Sequence, residues 1–444
     1  MNTPAPSSVS FGQALRFWLK LGLISFGGPA GQIAIMHTEL VERRRWISER
    51  RFLHALNYCM LLPGPEAQQL ATYIGWLMHR SWGGIAAGAL FVLPSLSILI
   101  ALAWVYLRFG QVPVVAGVFY GLKAAVAALV LHAAHRIGSR ALRNGWLWVL
   151  AAAAFVAIFA FDVPFPAIVA TAALIGWLGS RWAPQVFAVG GSHGGDVKTD
   201  FGPAVIDDAT PTPAHARFTR ARLAAVLGIG LALWAAAMAG AVTNETLGTM
   251  ARFFTQAALV TFGGAYAVLP YVYQGAVEQY QWATGPQMMA GLALGETTPG
   301  PLIMVVAFVG FVGGWTQALF GPDTLFAAGA VAACVATFFT FLPSFVFILA
   351  GGPLVEATHG RLGFTAPLAA ITAAVVGVIA NLALFFAGHV LWPDGWGGRF
   401  DIPAAAIGLA AAVALFRFKV GVIPLLAACA AIGVALTFIP RSFA

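Results

Sequence analysis

Charged residues are scarce in this 444-residue chain: Asp, Glu, Lys and Arg make up 9% of it, whereas 60% is hydrophobic. This balance excludes a soluble domain of ordinary composition. Cysteine is scarce as well, and its three isolated positions argue against a disulfide framework or a cysteine-based metal site. No Walker loop, dinucleotide fingerprint or Ser-His-Asp order occurs, so we expect neither an ATP-driven protein nor an enzyme, and neither a cofactor nor a metal.

Long apolar stretches are present instead, and they predict an all-α polytopic membrane protein. The net charge of +8 comes mainly from arginines in the loops that flank these stretches. This pattern indicates orientation by the positive-inside rule rather than binding to nucleic acid. Residues 1–10 are polar and are expected to be disordered, and no cleavable secretory signal is recognised there.

Two apolar runs are interrupted by the same triplet, Pro63-Gly64-Pro65 and Pro299-Gly300-Pro301. Proline lacks an N–H and clashes with the preceding turn, and glycine accepts backbone angles that other residues avoid, so a helix must stop and restart there. Inside a membrane such a break is tolerated only where protein or water surrounds it. Free N–H groups at the start of each new half-helix can bind an anion, so we expect the two triplets to face each other across one oxyanion site.

The triplets belong to an internal duplication. Phe26-Gly27-Gly28, Trp46 and the first triplet recur 236 residues later, and Leu93-Pro94-Ser95 recurs as Leu342-Pro343-Ser344, 249 residues later. The predicted organisation is a first repeat, a cytoplasmic and solvent-exposed linker, a connecting transmembrane helix and a second repeat, at residues 11–180, 181–221, 222–243 and 244–444.

The Lys and Arg distribution predicts the topology. The arginine-rich connector at 39–51 and the basic residues at 80 and 136–143 share one side only if residues 52–78 dip into the membrane and return. The lone apolar segment after the linker then inverts the second repeat, whose corresponding connector at 274–286 has no Lys or Arg. Two inverted repeats with broken, re-entrant helices are therefore predicted. For residues 11–34 and their repeat partner, spanning and re-entry both stay open.

At these residues the chain resembles the chromate ion transporter family in its long, duplicated form. The resemblance rests on "LISFGGPAGQ" and "LLPGPEAQQLATYIG" in the first half and on "LVTFGGAYAVLPYV" and "ALGETTPGPLIMVVAFVGF" in the second. It implies a multi-pass inner-membrane protein that exports chromate and confers chromate resistance, in exchange with sulfate or coupled to protons. A sulfate or other oxyanion carrier and an anion channel are the alternatives. The expected partners are the oxyanion, the lipid bilayer and a proton or counter-anion, and a homodimer is compatible with the sequence.

A tetrahedral dianion needs hydrogen-bond donors, so candidate substrate-binding residues beside the breaks are glycines and donor side chains. They are Ser25, Gly27, Gly28, Gln68, Gln69, Lys123, Thr261, Gly263, Gly264, Thr297 and Thr298. For the glycine pairs close helix packing is the alternative, and for the hydroxyls and amides it is satisfaction of backbone groups freed by the breaks.

Three charged residues lie in apolar surroundings. Lys123 is read as a fixed counter-charge for the dianion or as a snorkelling lysine. Glu66 follows the first break and Glu296 precedes the second, and each is a candidate proton carrier because an ionised carboxylate repels an oxyanion. An N-terminal helix cap is the alternative for Glu66.

Overall fold

The computed structural model describes residues 8–26, 28–182, 201–262, 264–358, 365–395 and 397–438. Within these ranges the chain is helical. The first half contains α1 Phe11–Ile24, α2 Gly28–His37, α3 Glu49–Cys59, α4 Glu66–Phe109, α5 Pro113–Ala141, α6 Gly145–Phe161 and α7 Phe165–Trp182. The second half contains α8 Arg220–Ala241, α9 Glu245–Val260, α10 Ala265–Tyr273, α11 Gly285–Thr297, α12 Val305–Thr316, α13 Leu325–Thr358, α14 Thr365–Leu391, α15 Ile402–Phe416 and α16 Val422–Thr437.

Five helical stretches are long and apolar enough to cross a membrane. They are Glu66–Phe109, Pro113–Ala141, Arg220–Ala241, Pro322–Glu356 and Ala366–Leu391. A hydrocarbon core about 30 Å thick requires roughly 20 helical residues. The chain is therefore an all-α polytopic membrane protein, as its composition predicts.

Several helices beside the sequence breaks are too short to span a membrane. α1, α2 and α3 have 14, 10 and 11 residues, and at 1.5 Å per residue the longest extends only about 21 Å. α2 and α10 each continue into a π-helical turn, Thr38–Arg43 and Gln274–Gln279, which lie 236 residues apart. The sequence duplication is thus matched by the local structure, including this uncommon helix type.

α4 folds back on itself at His79 and Arg80, whose backbone angles leave the helical region. Its two arms lie so close that a Cβ atom on Gly75 would be 2.5 Å from the Gly83 carbonyl oxygen, and one on Gly83 would be 2.2 Å from the Gly75 carbonyl oxygen. Only glycine fits at both positions. α4 is therefore a hairpin of residues 66–78 and 81–109, not one straight helix.

The chain also turns back at the first Pro-Gly-Pro break. Arg51, near the start of α3, lies 3.8 Å from Glu356, and Tyr73, in the first arm of α4, donates a 2.5 Å hydrogen bond to the same carboxylate. Gly64, which lies between Arg51 and Tyr73 in the sequence, is beside Ser344. Ser344 lies on α13, 12 residues before Glu356. The chain thus approaches along α3, turns at the break and returns along α4 to the level of Glu356.

Corresponding helices of the two halves pack against helices of the opposite half. α5 packs against α15 and α16, whereas its counterpart α14 packs against α6 and α7. The second arm of α4 crosses its counterpart α13, with Trp104 against Phe326 and Gly88 beside Phe345. Residue numbers rise along one helix and fall along the other, so these two counterparts run antiparallel.

Residues 201–219 pack against the first half of the chain. Ile206 forms an isolated parallel bridge with Ile47, Ala216 is fully buried, and the His215 ring lies 3.0 Å from the Trp76 carbonyl oxygen. Burial lowers the pKa of His215, so the ring is neutral at pH 7. Part of the segment expected to be a solvent-exposed linker is therefore buried: Ile206 and Ala216 belong to the same apolar cluster as Ile47 and Trp76 of the first half.

Substituting Gly121 with alanine should destabilise the protein. The added Cβ would lie 1.9 Å from the Cys429 carbonyl oxygen, where α5 meets α16, and such overpacking costs about 1–3 kcal/mol. The matched change Gly228→Ala, on α8 where nothing lies within 4 Å, should raise helix stability by up to about 1 kcal/mol. Thermal unfolding of the purified variants in detergent measures both changes, and equal shifts would contradict the close α5–α16 contact.

Candidate functional site

Two backbone hydrogen bonds join the breaks of the two halves. The Gly64 N–H donates to the Thr261 carbonyl oxygen at 2.8 Å, and the Gly300 N–H donates to the Ser25 carbonyl oxygen at 2.8 Å. Gly64 and Gly300 are counterparts in the duplication, and so are Ser25 and Thr261. Each Pro-Gly-Pro break is therefore tied to the break that follows α1 or α9 in the other half.

Glycine is required at the centre of both triplets. Gly64 has φ +123° and Gly300 has φ +106°, where a side chain is strained. A Cβ atom on Gly64 would lie 2.4 Å from the Ser344 hydroxyl oxygen, and one on Gly300 would lie 2.7 Å from the Ser95 Cβ. Ser95 and Ser344 are themselves counterparts, from the repeated Leu-Pro-Ser motif.

The Ser95 cluster comprises Ser25, Gln32, Ser95 and Gly300. Ser25 and Ser95 are buried, with 0% and 1% of their surface exposed, and neither hydroxyl has a hydrogen-bond partner among the described residues. The Gln32 amide nitrogen donates to the Gly300 carbonyl oxygen, while its amide oxygen has no partner there. Buried polar atoms are normally paired, so this cluster can accept a polar ligand or water.

The Ser344 cluster comprises Gly64, Glu66, Gln69, Thr261 and Ser344. The Thr261 hydroxyl donates to the Ala257 carbonyl oxygen, and Ser344 accepts from the Gln69 amide, which also donates to the Pro63 carbonyl oxygen at 2.8 Å. The Glu66 carboxylate approaches this cluster: a Cβ atom on Gly264 would lie 3.9 Å from its Oε1. The two clusters thus have matching backbones but different chemistry.

The two Pro-Gly-Pro triplets do not present their glycine N–H groups to a common site. Both N–H groups are occupied by the carbonyl oxygens of Thr261 and Ser25, because a buried N–H in an apolar environment must find an acceptor. Neither N–H is free for an oxyanion in this conformation, and the binding role expected for Gly64 and Gly300 stays a prediction. After Pro65, the first three N–H groups of α4 are left without intrahelical acceptors, as at every helix start.

The predicted donor side chains next to the breaks make different hydrogen bonds. Thr297 and Thr298, at the end of α11 before Pro299 and Pro301, donate back to carbonyl oxygens of their own helix, which is the structural alternative stated for them. Gln68 is fully buried and its amide nitrogen donates to Thr72, while its amide oxygen has no partner within the described part of the chain. Gly28 and Gly264 both have positive φ at the start of a helix, whereas Gly27 and Gly263 lie outside the described residues.

Lys123 lies away from the breaks. Its ammonium group is 5.9 Å from the centre of the Tyr106 ring, and Tyr106 follows Ser95 by 11 residues, or roughly 16 Å along a helix. No carboxylate within the described ranges forms an ion pair with Lys123. The lysine is thus a half-buried charge on α5, not a member of either cluster.

Glu296 lies near the start of α10, where Tyr266 follows Gly264, the residue that Glu66 approaches, by two positions. It accepts a hydrogen bond from Tyr266 and is buried, with 6% of its surface exposed. A small gap beside it is lined by apolar residues of α5 and α11: Val126, Leu129, Val130 and Leu292. The sequence assigned both carboxylates to the breaks, and both contact the start of α10, Glu66 near Gly264 and Glu296 through Tyr266.

Sequence reasoning did not assign Gln32, Ser95 and Ser344 to the site. The repeated Leu-Pro-Ser motif was a usable signal, because each proline withdraws a backbone donor within a long helix and each serine follows it at the crossing of α4 and α13. Gln32 carried no such signal, since Val268 occupies the corresponding position in the second half.

These features, five membrane-length helices and helix breaks that are hydrogen-bonded to each other, define a multi-pass membrane protein of the transporter class. The sequence pattern of the chromate transporter family matches residues 12–177 and 248–434, so the chain belongs to this family of transport proteins rather than enzymes. No solved structure matches the chain.

Similar proteins cover most of the chain. The chromate transport protein of Pseudomonas aeruginosa is 34% identical over 84% of this chain and 80% of its own length. The chromate transport protein of Cupriavidus metallidurans is 29% identical over 95% and 91%, and the probable chromate transport protein of Synechococcus elongatus is 28% identical over 92% and 90%. The family assignment therefore applies to both halves.

Gly64→Ala and Gly300→Ala should destabilise the protein more than the matched change Gly321→Ala. All three glycines have positive φ, so each alanine introduces backbone strain of about 1–3 kcal/mol. Nothing lies within 4 Å of a Cβ on Gly321, whereas the other two collide with serines, adding about 1–3 kcal/mol. Thermal unfolding in detergent checks this order, and equal losses at all three positions would show that the breaks are not closely packed.

Proposed function

We propose that this protein is a secondary active transporter that exports chromate across the cell inner membrane and thereby confers chromate resistance. The observation that carries the proposal is the pair of reciprocal hydrogen bonds between broken helices, Gly64 to Thr261 and Gly300 to Ser25. Helix breaks that meet at the centre of a membrane protein are typical of secondary transporters. The substrate follows from the relatives, which are named chromate transport proteins.

The two repeats, 11–180 and 244–444, lie inverted in the membrane in this proposal. The antiparallel crossing of the second arm of α4 and its counterpart α13 supports it, because counterparts that cross the bilayer in opposite directions require inverted repeats. The turn of the chain between α3 and the first arm of α4 then makes Pro63-Gly64-Pro65 the tip of a re-entrant hairpin. The arginine-rich connector and the linker at 181–221 lie on the cytoplasmic side, and residues 222–243 cross once between the repeats.

The oxyanion binds where the breaks meet, within the layer that contains Ser95 and Ser344. A tetrahedral dianion must exchange part of its hydration for protein donors, and hydroxyl groups and free helix N–H groups supply them without a fixed charge. Lys123 contributes positive potential from α5 along the path and attracts the anion over a longer distance. Glu66 carries the coupling proton, because it adjoins a break and has no ion-pair partner within the described ranges.

Flux of labelled chromate in vesicles containing the purified protein tests the proposal. We expect a chromate flux above that of empty vesicles, and we expect an opposing proton gradient to drive it. No flux above empty vesicles under any gradient would contradict transport of chromate. If sulfate is transported in place of chromate and abolishes the chromate flux, the protein is a sulfate carrier instead. Electrical currents far above the turnover rate of a carrier would identify an anion channel.

Glu66→Gln should uncouple transport from protons. The amide keeps the size of the side chain but cannot release a proton, so an imposed proton gradient should no longer accelerate chromate flux, whereas exchange of labelled for unlabelled chromate should continue. Glu245→Gln is the matched control, since Glu245 is also the first residue of a helix but is exposed. A proton response that persists in Glu66→Gln would remove this residue from the coupling mechanism.

A further inference from the structure

The Ser95 and Ser344 clusters are built on the same backbone plan. Each contains the Pro-Gly-Pro glycine of one half, together with the residue before the Phe-Gly-Gly motif and the Leu-Pro-Ser serine of the other half. Gly300 meets Ser25 and Ser95, and Gly64 meets Thr261 and Ser344. A molecule with two equivalent clusters could hold an oxyanion at either, so their side chains decide between them.

The hydroxyl groups differ in availability. In the Ser344 cluster, the Thr261 hydroxyl donates to a carbonyl oxygen of its own helix and Ser344 accepts from Gln69. In the Ser95 cluster, the hydroxyls of Ser25 and Ser95 are fully buried and have no partner within the described part of the chain. A buried hydroxyl without a partner is costly, and a ligand that accepts from it removes that cost.

The charged residues near the two clusters also favour an anion at the Ser95 cluster. Glu66 approaches the Ser344 cluster, whereas its counterpart 236 residues later is Leu302, which is buried and apolar. A carboxylate repels an oxyanion at short range in a low-dielectric interior. Glu296, the carboxylate nearest in sequence to Gly300, accepts a hydrogen bond from Tyr266 and lies beside apolar residues of α5.

We propose that the transported oxyanion binds at the Ser95 cluster alone, through the hydroxyls of Ser25 and Ser95, and that Ser95 is a substrate-binding residue. The Ser344 cluster has diverged from the same plan into the proton-carrying side of the site. This inference rests on the proposed oxyanion transport and specifies which of the two break junctions performs it.

Gln32 acts as a positioning residue in this arrangement. Its amide nitrogen holds the Gly300 carbonyl oxygen, which turns that acceptor away from an incoming anion. The Gln32 amide oxygen has no hydrogen-bond donor among the described residues. A ligand that contacts it must therefore supply a donor, such as a bound water or a protonated oxygen of the oxyanion. The cluster therefore presents two hydroxyl donors and one acceptor to a tetrahedral ligand.

Paired serine substitutions test the inference. Ser95→Ala removes a hydrogen bond to a charged ligand and should raise the chromate KM in vesicles by about 10-fold. Ser344→Ala removes the counterpart hydroxyl and should change the KM less than about twofold, because that hydroxyl accepts from Gln69 and lies in the cluster that Glu66 approaches. The Tm of Ser95→Ala should not fall, since the deleted hydroxyl has no hydrogen-bond partner among the described residues.

The outcomes separate this inference from the proposed function. A wild-type protein without chromate flux would overturn the function itself. Wild-type flux with equal KM changes in the two variants, or a larger change in Ser344→Ala, would overturn the assignment to the Ser95 cluster while leaving transport intact. A raised KM in Ser95→Ala accompanied by a lowered Tm would identify a structural role and would also overturn it. A Ser95→Thr variant, which retains the hydroxyl, should restore most of the wild-type KM.

Discussion

Backbone N–H and C=O groups must be paired inside a membrane, and the structure around the helix breaks follows from that constraint. Each break frees main-chain groups that its own helix cannot satisfy. The protein satisfies them across the duplication: Gly64 donates to Thr261, and Gly300 donates to Ser25. Main-chain groups freed at the breaks of one half are therefore paired with main-chain groups of the other half.

This pairing also explains which side chains can surround the breaks. The main chains approach so closely that glycine is required at two positions and serine is the residue next to each. Small hydroxyl residues can both pack against a neighbouring backbone and donate to a ligand. The first half supplies additional polar side chains, Gln32, Glu66 and Gln69, where the second half has Val268, Leu302 and Val305. A symmetric scaffold thus carries an asymmetric site.

The membrane class and the helix breaks could be predicted from the sequence, because apolar composition and the backbone effects of proline and glycine are local. The duplication could be predicted because the same motifs recur at a fixed offset. Sequence reasoning did not predict which breaks meet. A repeat offset relates counterparts such as Gly64 and Gly300, whereas the contacts join non-counterparts such as Gly64 and Thr261. For the same reason it did not predict that the Gly64 and Gly300 N–H groups pair with the other half or that Ser95 lies beside Gly300. The distance of Lys123 from the breaks depends on how α5 packs, which no local pattern encodes.

The central claim is that the break after α1 and the second Pro-Gly-Pro break together form the oxyanion site. A structure of the protein with a bound chromate or sulfate ion tests it most directly. The account predicts a tetrahedral ion within hydrogen-bond distance of the hydroxyl oxygens of Ser25 and Ser95, with the Gly300 N–H still donating to the Ser25 carbonyl oxygen. An ion bound beside Glu66 and Ser344, or at a site remote from both breaks, would contradict it.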